Sequence, residues 1–158
     1  MIPEAPFLFS IAGLSASLGG LSGLVAGLRR GTDMRPLDLF RLREIVEFSF
    51  ANVALALATV PLALIVGGTE DAVRIVALAA LIYVVLHLVV LIRRNREFQV
   101  TNSRIGDAAV ILVNLAAFAA SIATLGTGSI GAFEALLLVL LARPMLAFLF
   151  VLASFETS

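Results

Sequence analysis

Long apolar runs separated by short polar interruptions make up almost the whole chain, and the length of each run sets the architecture. At about 20 residues per crossing of a hydrocarbon core, five runs qualify: roughly 6–28, 44–66, 72–92, 107–125 and 131–155. The stretch 107–155 is more than two crossings long, and GTGSIG (126–131) in its middle has the glycine and serine content of a turn, so it reads as a hairpin. GGTED (67–71) is the corresponding turn between the second and third runs. The pattern predicts an all-α integral membrane protein, a bundle of about five transmembrane helices in a single membrane domain, 1–158.

Composition agrees with that reading. Hydrophobic residues make up 61% of the chain, charged residues 14%, and mean hydropathy is +1.09, well beyond the roughly half-apolar content of soluble domains. No segment remains for an extramembrane catalytic or ligand-binding domain, so any activity resides among the helices or on short loops. The absence of cysteine removes disulfides, thiolate chemistry and cysteine metal sites.

Charge distribution predicts the orientation. All eleven cations are arginine, and nine (Arg29, Arg30, Arg35, Arg41, Arg43, Arg93, Arg94, Arg96, Arg104) fall in the two longer connections, 29–43 and 93–106. By the positive-inside rule both connections are cytoplasmic, which puts the N-terminus outside and the C-terminus inside, in a plasma membrane of prokaryotic type. The anionic inner leaflet is the natural partner of these arginines, and nucleic-acid binding is not needed to explain them. The first run lacks a basic segment ahead of it and reads as a reverse-oriented anchor, not a signal peptide. RPLDLFRLREIVEF mixes apolar and charged residues at helical spacing, so the second helix is expected to begin near Pro36.

Two regularities go beyond the spans. An offset of 63 aligns Glu44 with Asp107, Gly68 with Gly131, Asp71 with Glu134 and Ala72 with Ala135, a weak sign of a repeated hairpin. In the first span Ser15, Gly19, Gly23 and Gly27 recur every four residues, a glycine-zipper face suited to close helix packing in lipid, either within one subunit or in a homo-oligomer.

Several polar residues interrupt the apolar runs. Asp107, Asn114 and Ser121 form a stripe on the fourth helix; Glu44 and Glu47, with Asn52 and Thr59, lie on the second; Tyr83 and His87 are one turn apart on the third. Hydrogen-bonding glue between helices explains most of them. Arg143, followed by Pro144, does not yield to that explanation. It sits about 12 residues, or about 18 Å, from either end of its span, too far to reach water. A mid-membrane charge costs at least about 2.5–3.5 kcal/mol and marks a polar interior. Pro144 removes the amide that would bond the Leu140 carbonyl and so introduces a kink site. The predicted polar centre therefore comprises Arg143, Glu47, Asn52, Asn114 and His87, with Glu47 as the partner of Arg143.

No nucleophile–base–carboxylate set, paired histidines or phosphate loop is present in the sequence, so neither an enzyme nor a bound metal or cofactor is expected. Two functions fit. One is a homo-oligomeric ion channel or small transport protein centred on Arg143. The other is a non-conducting accessory or sensor subunit of a larger complex.

Overall fold

The computed structural model describes residues 5–28, 36–98 and 104–156. It contains α1 (Ala5–Leu28), α2 (Pro36–Val66), α3 (Thr69–Phe98), α4 (Arg104–Thr127) and α5 (Ile130–Glu156). All five are long and apolar enough to cross a membrane, and the chain is an all-α membrane protein. Each run read from hydropathy corresponds to one helix, but α2 and α3 extend several residues beyond their apolar portions. Pro36–Arg43 and Arg93–Phe98 are helical, which shortens the two arginine-rich connections. Hydropathy registers only the lipid-soluble part of a helix, whereas backbone hydrogen bonding continues into polar sequence. The start at Pro36 agrees with the pattern, since a proline at the first helical position loses no intrahelical bond.

Tight turns close the two hairpins. Gly67 (φ 76°) ends α2 and Gly128 (φ 63°) follows α4, each in the left-handed region that glycine adopts without Cβ strain. The Gly128 amide donates to the Thr124 carbonyl at 2.8 Å. A Cβ at Gly128 would collide with Cγ of Glu70, so the α4–α5 turn rests directly on the first turn of α3. These two glycines are 61 positions apart, not 63. The aligned Gly68 and Gly131 therefore occupy different places, one ahead of α3 and the other inside α5.

Helix α5 is the centre of the bundle and touches all four others. Around it runs an arc α1–α2–α3–α4. Among the described residues α1 meets only α2 and α5, and α4 meets only α3 and α5. The larger apolar core joins Leu8 and Ile11 of α1, Val73 and Val76 of α3, and Phe133, Leu136, Leu137 and Leu140 of α5. A smaller cluster near the other end joins Leu42 and Ile45 to Ala147 and Val151. Arg143 and Pro144 lie between the two. Helix α5 remains helical through Pro144, and α2 through Pro61; neither proline has the amide needed to bond the carbonyl four residues back.

The zipper face of α1 divides. Ser15 and Gly19 are buried against α2, where a Cβ at Gly19 would stand 3.2 Å from Cβ of Ser49. Gly23 and Gly27 are exposed, with nothing within 4 Å of an added Cβ. The reason is angular. Four residues advance 400°, so a strict four-step stripe drifts by about 40° per step and leaves a straight contact after two or three steps. Ser22, three residues after Gly19, continues the buried face.

Candidate functional site

Three helices bring one carboxylate, one guanidinium and one imidazole together in the interior. Arg143 Nη2 on α5 donates to Glu44 Oε1 on α2 at 2.9 Å, and His87 Nε2 on α3 approaches the same oxygen at 3.2 Å. Their fractional exposures are 3% for Arg143, 6% for Glu44 and 9% for His87, so neither charge is solvated by bulk water. Arg143 is 13 residues from each end of α5, about 20 Å by helical rise. An unpaired charge there would cost several kcal/mol, and the Glu44 carboxylate offsets part of that cost.

Phe48 forms the floor of this cluster. It lies one turn beyond Glu44 on the same face of α2 and is 2% exposed. Its ring meets His87 edge-on with centroids 4.4 Å apart and Tyr83 at 5.4 Å, and the Arg143 guanidinium carbon stands 5.6 Å from its centroid. One further turn along the same face is Asn52. Its amide nitrogen donates to Ser15 Oγ at 3.0 Å and to the Leu137 carbonyl at 3.3 Å, tying α2 to α1 and α5. The face Glu44–Phe48–Asn52 thus carries two polar stations separated by an aromatic ring.

Four buried polar atoms have no hydrogen-bond partner among the described residues: Ser49 Oγ, Asn52 Oδ1, Tyr83 Oη and Arg143 Nε. Tyr83 and Arg143 lie beside the Phe48 ring, whereas Ser49 faces α1 at Gly19 and Asn52 lies one turn further along α2.

Between α2 and α3 a cleft of about 530 Å³ opens beside the cluster, lined by Phe40, Arg43, Glu47, Tyr83, Leu86, His87, Val90 and Leu91. Glu47 pairs here with Arg43, one turn away on the same helix.

The sequence-derived centre is partly reproduced. Arg143 and His87 are in it, joined through Glu44. Glu47 is not the partner of Arg143. Three residues advance about 300° around a helix, so Glu47 is turned some 60° from Glu44, out of the interior and into the cleft, 43% exposed. Glu44 is the buried carboxylate instead. Asn52 lies two turns from Glu44 and bonds elsewhere. Asn114 does not join the centre: α2 and α4 make no contact among the described residues, and the Asn114 amide donates to its own helix at the Val110 carbonyl, 2.8 Å away.

Ser121, Thr124 and Thr59 bond in the same way to carbonyls four residues back. They do not bridge helices by hydrogen bonds. The α4 stripe does form the helix's buried face, through Asn114, Ala117, Ser121 and Thr124. Tyr83 stacks on His87 at 6.2 Å between centroids and does not hydrogen-bond to it. The side chains of Asp107 and Arg94 lie outside the described residues. Phe48 carried no signal in the sequence, being one of eleven phenylalanines; only its spacing of four from both Glu44 and Asn52 singles it out.

No group of three or more histidines and carboxylates that could hold a metal gathers among the described residues. Comparisons with protein-family models, curated proteins and solved structures yield no match.

Proposed function

We propose that this chain is a small transport protein of a prokaryotic plasma membrane, working as a homo-oligomer with its N-terminus outside and C-terminus inside, and that Glu44, Arg143 and His87 form its translocation centre. The observation that carries this reading is the single buried carboxylate shared between a guanidinium and an imidazole on three different helices. A carboxylate held by two cationic or protonatable partners can release one and keep the other, so α2 can change its contact with α5 or α3 without leaving a bare charge. That exchange is what a carrier needs at its centre. Phe48 fills the space beside the cluster, which favours a gated carrier over an open pore in one subunit.

Orientation rests on the arginine bias of the two connections, whose cations suit an anionic inner leaflet. Oligomerisation rests on the outer face of α1, where Gly13, Gly20, Gly23 and Gly27 leave flat surface with no neighbour within 4 Å. A second reading, a non-conducting accessory or sensor subunit, is favoured by one observation: the Glu44–Arg143 pair already neutralises itself and would suffice as a clamp between α2 and α5.

Reconstitution into liposomes, with oligomeric state and ion or solute flux measured on the same preparation, tests the proposal. An oligomer whose flux disappears in Glu44→Gln folded protein supports it. A flux-silent monomer assigns the chain to the accessory class.

A further inference from the structure

We infer that the cleft between α2 and α3 is a binding site for an amphipathic organic cation, which pairs with Glu47 and lays its apolar body against Leu86, Val90 and Leu91. The inference names a substrate class for the proposed transporter and rests on that reading only for the direction of traffic, not for binding itself.

Depth supplies the first argument. Measured from Val66 at the outer turn of the α2–α3 hairpin, helical rise places Glu47 about 29 Å and Arg43 about 35 Å along α2, against a hydrocarbon core of about 30 Å. Glu47 therefore lies towards the inner end of the α2 span, and Arg43 stands one turn nearer that end. An exposed ion pair of neighbours on one helix contributes only about 0.3–0.5 kcal/mol. Arg43 is the more exposed of the two at 64%, and its long stem lets the guanidinium turn to lipid phosphates instead. Glu47 faces the cleft with its carboxylate held only by this exposed pair, which an incoming cation can displace.

Shape and chemistry agree with that occupant. The cleft, about 530 Å³, lies within the usual range for small-molecule sites. It opens sideways towards lipid, past Leu86 and Val90, both exposed, so an amphiphile can enter from the bilayer. Below Glu47 the Tyr83 ring lines the cleft and offers a π-face to a cation, while its hydroxyl is buried in the wall. Behind the wall, the Glu44 carboxylate faces both Arg143 and His87, so neither of these groups meets the cleft without a counter-charge beside it.

Equilibrium dialysis of radiolabelled tetraphenylphosphonium against the purified protein in neutral detergent tests this, with tetraphenylborate as a probe of the same shape and opposite charge. The phosphonium should bind saturably and the borate should not. Glu47→Gln should weaken phosphonium binding by about tenfold, the loss of one charge-assisted contact. Arg43→Gln should leave it unchanged or tighten it, because the competing guanidinium is removed. Preference for the borate, or phosphonium binding that survives Glu47→Gln, overturns the inference. Saturable phosphonium binding without flux in liposomes would keep the site and reject transport; flux of another solute without phosphonium binding would do the reverse.

Discussion

Arg143 and Glu44, 99 positions apart in the chain, meet through a 2.9 Å hydrogen-bonded ion pair in the interior of the bundle. The pair fixes the relative height of α2 and α5. Removing one member alone, by Arg143→Met or Glu44→Gln, strands a buried polar or charged group and should cost about 3–5 kcal/mol of stability. The double variant should lose much less than the sum, because neither charge remains to be desolvated. Unfolding in mixed micelles across the four proteins reads this coupling. Additive losses would show that the pair does not couple the helices. In the same set, a double variant that folds yet carries no flux identifies the pair as functional, whereas parental flux identifies it as a clamp.

Charge reversal separates Glu44 from Glu47. Arg143→Glu should be rescued by Glu44→Arg and not by Glu47→Arg, since Glu47 is turned into the cleft and paired with Arg43. Recovery of assembled protein on size-exclusion chromatography is the measurement, and rescue by position 47 would contradict the geometry.

Asn52 ties three helices with one amide. Asn52→Leu should cost about 1 kcal/mol, in the range measured for hydrogen bonds between membrane helices. Ser15→Ala should cost about the same or less, and the two changes together should fall short of additivity because they share one bond. A thermal-melt double-mutant cycle in detergent checks the shortfall.

The two halves of the glycine stripe should behave differently. Gly19→Leu forces a side chain into the α1–α2 contact, where even a Cβ approaches Ser49 at 3.2 Å, and should destabilise the fold by about 1–3 kcal/mol. Gly23→Leu meets no neighbour at its Cβ among the described residues, so it should leave the subunit stable and reduce the size of the assembled particle. Light scattering in detergent distinguishes the outcomes; an unchanged particle in Gly23→Leu would remove this face from the oligomer contact.

Orientation is tested by single cysteines in a chain that has none. Substitutions at Thr32 and Ser103 should label from the cytoplasmic side, and those at Asp71 and Ser129 from outside. Asp38, although it lies near the arginine-rich connection, is a poor reporter because it is buried. Cytoplasmic labelling at Ser129 would reverse or break the five-span arrangement.

The sequence by itself determined the number of helices, their turns and the presence of a polar interior. These properties are local or compositional. A run of apolar residues of bilayer length has one economical structure, since every backbone group must be satisfied within the segment, and a lone arginine far from both ends of a span requires a partner wherever it points. The start of α2 at Pro36 and the buried stripe Asn114–Ala117–Ser121–Thr124 were legible for the same reason, because each follows from chemistry or spacing along one helix.

Only the tertiary structure decided which partners meet. Glu44 and Glu47 differ by three residues, so either suits Arg143 on distance along the chain, and the choice depends on how α2 is rotated about its axis against α5. That rotation is set by the packing of Leu42 and Ile45 on Ala147 and Val151, contacts whose register no single-helix pattern encodes. The separation of Asn114 from Asn52 follows from α5 standing between their helices. The division of the α1 stripe follows from the 40° drift of a four-residue repeat past a neighbour of fixed direction. Periodicity gives the faces of a helix, and packing selects which face meets which.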